Sequence, residues 1–303
     1  MARRRRLIIA LQIAAVAVLL AFLGYAFRDA WGEAAPLLRD ANRWQVALAC
    51  GLLAIYYLIF VLGWVWILAA LGLRVRYRVA LQSEMVSMLA KYVPGGVWTP
   101  AARVVALRRY GVTDTPVVLG SIALEAGLSA VAGVIVFVVS LVTVEDVDAP
   151  LWPLVIFAAV IAVLLHPRVF RPLARRLLKP FGASDLPPIR ERTLLLLVAY
   201  YAVTWVFGGL AILYLLRALD GDVGYEAVPY LGGVGAVGAI VAVVSVISPS
   251  GLGVREASMY GLMLAVTTKG VALGATVLNR VAITLVEAAL LLFGALAGAF
   301  KKP

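Results

Sequence analysis

From Trp44 to Leu71 the chain carries no charged side chain, and that run outlasts the roughly 20 residues a helix needs to cross a bilayer. Several other apolar runs are as long. Composition points the same way: of 303 residues 64% are hydrophobic and only 14% charged, with a mean hydropathy of +1.01. A soluble domain of this size carries about a quarter charged residues. We therefore expect an all-α polytopic membrane protein. Too little polar sequence is left for a separate soluble domain, so residues 1–303 read as one integral membrane domain.

Basic residues sit between the apolar runs. A net charge of +11 could suggest nucleic acid, but this spacing is what the positive-inside rule produces, and anionic headgroups are the better partner. The single cysteine, Cys50, lies in an apolar run and reads as a small packed hydrophobe. His166 is the only histidine, and no Cys/His cluster suggests a metal.

Charge also sets topology. Arg3 to Arg6 precede an apolar run from Leu7 to about Phe27, longer than the ~7–15 residues of a secretory signal core. It reads as an uncleaved first helix with a cytoplasmic N-terminus. Arg28 to Arg43 reads as an external loop of mixed charge. A helix from about Trp44 to Leu71 returns inward to Arg74, Arg76 and Arg78. Asp114-Thr115-Pro116 starts a helix that runs outward to about Val144. Glu145, Asp146 and Asp148 form an acidic external loop, and Leu151 to Leu165 crosses back. Pro167 to Arg192 is strongly basic and suits a cytoplasmic connection whose Leu and Phe residues rest on the bilayer surface. A further crossing runs from Thr193 to about Leu216, and Asp220, Asp222 and Glu226 place the next loop outside. The last helix, about Ala275 to Phe300, ends at Lys301 and Lys302 in the cytoplasm. These assignments give about 6–8 transmembrane helices in the cell membrane, with both termini cytoplasmic.

Two breaks interrupt the pattern. The first is Lys91-Tyr92-Val93-Pro94-Gly95-Gly96-Val97-Trp98-Thr99-Pro100. The helical stretch before it, Val79 to Tyr92, is too short to span at ~1.5 Å per residue. Thr99 and Pro100 suit the start of a new helix, which Gly111 is placed to end. The second is Ser248-Pro249-Ser250-Gly251-Leu252-Gly253-Val254-Arg255-Glu256, between apolar stretches at Val228–Ile247 and Ala257–Val266. Charge bookkeeping allows each broken segment to be re-entrant or fully spanning; an amphipathic pair on the surface is a third option for the first. The helices flanking the two breaks run in opposite senses, which suggests an inverted repeat of the kind many transporters use.

Irregular backbone at membrane depth requires surrounding protein or a wet cavity. Helix starts after glycine-rich turns offer free N–H groups to anions. Gly95, Gly96, Gly251 and Gly253 could form such a surface, or could only let helices pack closely. Ionisable residues within spans cost on the order of 2.5–3.5 kcal/mol each when lipid-exposed. Glu84, Ser87 and Lys91 share a face. Glu125 lies between Ser121 and Ser129, and Arg280, Thr284 and Glu287 form a stripe in the last helix. Arg103, Arg255 and Glu256 follow the breaks. Internal pairing would join Arg280 to Glu125 or Glu287, and Arg255 to Glu256. The alternative is a substrate path in which these groups meet a ligand. Tyr92 and Trp98 flank the first break, as interface markers or as headgroup contacts. No nucleophile elbow, phosphate loop, metal spacing or cofactor motif appears, so we expect no enzyme activity from this chain.

At the two breaks the sequence resembles the lysylphosphatidylglycerol synthase transmembrane region family. Lys91-Tyr92-Val93-Pro94-Gly95 matches its K-Y-[IVL]-P-G motif, and Pro249-Ser250-Gly251-Leu252-Gly253-Val254-Arg255-Glu256 resembles its P-G-G-L-G-V-R-E motif, with Ser250 in place of the commoner Gly. Glu125 and Arg280 fall where that family tends to place a Glu and an Arg. The resemblance implies a flippase-like domain that moves a lipid with a modified or glycosylated headgroup between leaflets; some relatives are linked to polyprenyl-phosphate sugar carriers. The bifunctional members continue into a soluble aminoacyl-transferase domain, whose activity is not expected from a chain ending at Pro303.

The leading expectation is thus a translocator of a phosphate-containing membrane lipid. Lys91, Arg103, Arg255 and Arg280 would neutralise the phosphate. Tyr92, Gly95, Gly96, Trp98, Gly251 and Gly253 would contact the headgroup. Glu84, Glu125, Glu256 and Glu287 would balance charge or couple protons. The alternative is a non-transporting partner that docks a membrane-associated glycosyltransferase or lipid synthase. Homo-oligomerisation, lipid identity and energy source are left open.

Overall fold

The computed structural model describes residues 28–92, 98–142, 144, 152–179, 186–245 and 251–299, and among these all regular structure is helical. The helices are α1 (Arg28–Asp40), α2 (Arg43–Ala70), α3 (Tyr77–Met88), α4 (Trp98–Arg108), α5 (Thr115–Ser140) and α6 (Trp152–Leu165). They continue as α7 (Pro167–Leu178), α8 (Glu191–Arg217), α9 (Val228–Val244), α10 (Val254–Met263) and α11 (Lys269–Ala299). One 3₁₀ turn, Leu89–Tyr92, extends α3, and another, Tyr225–Ala227, leads into α9.

Among the described residues, five helical stretches are long and apolar enough to cross a bilayer: Arg43–Ala70, Thr115–Ser140, Glu191–Arg217, Tyr225–Val244 and Lys269–Phe293. The protein is thus a multi-pass membrane protein. Five is below the expected six to eight. The expected first helix, Leu7 to Phe27, lies outside the described residues. The expected fourth crossing, α6, has 14 described residues, about 21 Å at 1.5 Å per residue, short of a ~30 Å hydrocarbon core.

Helix ends follow local chemistry. Asn42 caps α2 by accepting from the Trp44 and Gln45 N–H groups at 3.0 and 3.3 Å, and Asp114 caps α5 through the Val117 N–H at 3.1 Å. Gly72 and Gly111 take positive φ after α2 and α4. There the Leu73 N–H reaches Leu68 O at 2.8 Å and the Val112 N–H reaches Leu107 O at 3.2 Å, the bonding of a Schellman end.

Two expectations are corrected. Arg28 to Arg43, read as a loop, is largely the helix α1. It packs on α11, burying Ala34 beside Leu273, and Glu33 accepts from the Gly270 N–H at 3.1 Å. Its charges and Pro36 hid a helix that tertiary contact stabilises. The last helix starts at Lys269, six residues before the expected Ala275.

The centre is α2, α5, α8 and α9 packed against one another, with α11 against α1, α2 and α3. A Cβ on Gly209 would collide with the backbone of Val228 and Gly232, so α8 and α9 touch backbone to backbone, a contact only glycine permits. Outward faces are apolar: Trp66, Leu195, Val203, Leu285 and Phe293 are all more than half exposed, as lipid-facing side chains should be.

The broken segments are hairpins. α3 and α4 lie side by side, with Tyr110 Oη donating to Gln82 Oε1 at 2.7 Å. α9 and α10 also pack together, and Tyr230 Oη donates to Leu262 O at 2.7 Å. That bond joins the first turn of α9 to the last turn of α10, so the second segment turns back on itself. Residues 93–97 and 246–250, including Pro94, Gly95, Gly96, Pro249 and Ser250, lie outside the described residues.

Candidate functional site

A cavity of about 510 Å³ opens between the two hairpins and the central helices. Glu84, Lys91, Thr99 and Pro100 reach it from the first hairpin, and Ala239, Ser245 and Arg255 from the second. Helix α2 adds Tyr56, Tyr57 and Phe60, α8 adds Trp205, and α11 adds Asn279 and Glu287. The volume is that of a small-ligand pocket, with an apolar wall and a few convergent polar groups.

Its charges fall into three arrangements. Arg103, on α4, is 5% exposed and lies behind the wall, absent from the cavity lining. Its Nη1 donates to Glu125 Oε2 at 2.5 Å, its Nη2 pairs with Glu84, and its guanidinium stands 4.5 Å from the centroid of Trp64. Trp64 in turn donates from Nε1 to Ser121 Oγ at 2.9 Å. Ser121 therefore locates the aromatic floor under Arg103 instead of meeting a ligand. The carbonyl of Ser129 does similar work, accepting from Trp205 Nε1 at 2.9 Å.

Lys91, in the 3₁₀ turn after α3, holds both oxygens of Glu287 at 2.6 Å, and Tyr57 Oη donates to Glu287 Oε1 at 2.6 Å. The first hairpin is thereby tied to α11 at the cavity wall. On the second hairpin, Gly253 sits at φ +87° and gives its N–H to Glu256 Oε2 at 2.6 Å. Gly251, at φ +63°, lies so close to Ala242 that a Cβ there would clash. Both positions need glycine, because an L side chain disfavours such backbone. Glu256 also faces Arg280 Nη1 of α11 at 3.3 Å.

The partner choices differ from the expected ones. Arg280 meets Glu256, not Glu125 or Glu287, and Arg255 does not pair with its neighbour Glu256. Glu125 is taken by Arg103 and Glu287 by Lys91. Arg255 is left lining the cavity with no carboxylate partner among the described residues. Glu84, Lys91, Arg255 and Glu287 meet at the cavity, whereas Arg103, Glu125, Glu256, Arg280, Trp98, Gly251 and Gly253 do not line it. Gly95, Gly96 and the side chain of Tyr92 lie outside the described residues.

Sequence reasoning missed the aromatic wall. Tyr56, Tyr57 and Phe60 sit in an uninterrupted apolar helix, where aromatics read as packing. Their only signal was two adjacent tyrosines in a span, and a buried tyrosine hydroxyl usually seeks a partner.

Compared with known proteins, the chain matches no curated sequence. A family model described as the lysylphosphatidylglycerol synthase TM region matches residues 9–290, including both broken segments and every charged group around the cavity. The chain therefore belongs to the lysylphosphatidylglycerol synthase TM region family, a membrane domain connected with lipids.

Proposed function

We propose that this protein moves a phosphate-containing lipid, aminoacylated, glycosylated or polyprenyl-linked, between the leaflets of the cytoplasmic membrane. The carrying observation is the cavity between the hairpins, where Arg255 stands as a cation without a carboxylate partner among the described residues. Arg presents a planar fork of donors suited to phosphate. The other three cations are matched by carboxylates, so their role is to hold the walls. The aromatic side, with Tyr56 and Trp205 at 5.7 Å between ring centroids, suits the apolar part of a headgroup and its glycerol or sugar.

The order of elements supports an inverted repeat around this cavity. A long helix, a hairpin and a second long helix occur as α2, α3–α4, α5 and again as α8, α9–α10, α11. In each, the returning helix of the hairpin is ion-paired to the long helix that follows, Arg103 to Glu125 and Glu256 to Arg280. The polarity is reversed between the two. Re-entrant hairpins entering from opposite leaflets are the reading that fits the Tyr230–Leu262 bond and the charge distribution.

Arg255→Gln tests the function. Loss of a charge-assisted hydrogen bond of about 1.5–3 kcal/mol corresponds to roughly tenfold to hundredfold weaker binding. Translocation of a fluorescent anionic phospholipid in proteoliposomes should fall accordingly while the variant melts like the wild type. Wild-type rates in Arg255→Gln would reject the assignment. A wild-type protein that moves no lipid, yet co-purifies with a glycosyltransferase or synthase, would favour the docking alternative.

A further inference from the structure

We propose that Glu84 and Glu125 share one exchangeable proton above Arg103, and that Glu84 passes it to and from the cavity. The site stands on geometry. Glu84, Arg103 and Glu125 are 1%, 5% and 4% exposed. Two carboxylates there face one guanidinium, Glu125 at 2.5 Å and Glu84 in direct contact. With both carboxylates ionised the group would hold a net negative charge out of water, which a low-dielectric interior penalises heavily. Two carboxyl groups sharing such a site relieve it by keeping one proton between them. Glu125 Oε1 and Arg103 Nε have no hydrogen-bond partner among the described residues, so the carboxyl–guanidinium contacts leave hydrogen-bonding capacity unused.

Other charged and titratable groups around Glu84 do not supply a second counter-charge. Lys91 is held by Glu287 and, through that carboxylate, by Tyr57. Trp64 from α2 faces the guanidinium, and the phenols of Tyr56 from α2 and Tyr201 from α8 nearby carry no positive charge to offer. Arg255 from α10 stands on the wall of the same open cavity, where solvent screens it. All three are buried, but Glu84 lines the cavity, whereas Glu125 and Arg103 do not. Glu84 is therefore the member that can deliver the proton. No bond other than O–H changes: the carboxylic acid releases a proton to cavity water and the triad becomes net negative.

The proton site is independent of the lipid; its use in transport rests on the proposed function. Infrared spectroscopy of the reconstituted protein at neutral pH should show a protonated carboxyl band that shifts when H₂O is exchanged for D₂O. The band should disappear in Glu84→Gln and in Glu125→Gln, since either change leaves one carboxylate for one arginine. A wild-type spectrum without the band, a band that never shifts in D₂O, or a band that survives in both variants would overturn the proposal. The wild-type measurements decide even where a variant does not fold. If the band behaves as expected and proteoliposomes move no lipid at any pH, the transport reading fails and the proton site stands. If lipid moves but the band is absent, the reverse holds.

Discussion

Replacing Arg103 by methionine would leave Glu84 and Glu125 buried without the cation that each now contacts. Breaking one side of a buried ion pair typically costs about 3–5 kcal/mol, because the remaining charge is stranded. We expect Arg103→Met to lower the melting temperature sharply in detergent. The triple variant Arg103→Met, Glu84→Gln, Glu125→Gln should recover much of the loss. Equal melting of Arg103→Met and wild type would show that the triad adds nothing to the fold. Each of the three charges was visible in the sequence as an ionisable residue in an apolar setting. Their partnership was not: Glu84 and Glu125 are 41 positions apart, and only the hairpin brings α3 and α4 to α5. The shared face of Glu84 and Lys91 was legible from helical spacing, yet they serve different partners because a 3₁₀ turn intervenes before Lys91.

Both hairpins are held from outside by ion pairs to α11, at Lys91–Glu287 and Glu256–Arg280. Glu256 has a second task, since its other oxygen receives the Gly253 N–H and starts α10. An acidic side chain at this position of a first turn is also favoured by the helix dipole. A double-mutant cycle on Glu256→Gln and Arg280→Gln should return a coupling of about 0.5–3 kcal/mol, as expected for residues in contact. The matching cycle between Glu256 and Arg255 should return a value near zero, because these neighbours do not pair. Chemical denaturation or thermal melting would read both. The two breaks were legible because Pro and Gly interrupt apolar runs, but charge alone did not choose between helices that double back and helices that span. Helix ends at Gly111 and Asp114 were equally local. Helix α1 was not, because its formation depends on contact with α11, which mixed charge and Pro36 do not advertise.

For the whole molecule, the clustering of charge decides how the bundle sits in a membrane. Leu71, Val117, Leu165, Ala174 and Leu186 belong to one apolar cluster, which gathers the ends of α2, α5, α6 and α8 that adjoin Arg74, Arg76, Arg78, Arg168, Arg175, Arg176, Arg190 and Arg192. A different cluster holds Leu219, Val223, Ala227 and Val144, beside Asp220, Asp222 and Glu226, and the Asn42 N–H meets Ala218 O there at 2.9 Å. Helix α7 lies at the basic end with Arg175 and Arg176 exposed, Ala174 buried beneath and Leu173 partly uncovered, the pattern of a helix resting on an anionic surface. By the positive-inside rule we expect this end to face the cytoplasm. Cysteine labelling tests the orientation, since Cys50 is the only native thiol and can be replaced by alanine. In that background, Arg176→Cys and Asp222→Cys place thiols at exposed positions of opposite ends. An impermeant maleimide added to intact cells should label Asp222→Cys and spare Arg176→Cys until the membrane is opened. The opposite pattern would invert the bundle. Labelling of both from outside would place both ends in water on one side and overturn the orientation argued from the charge clusters.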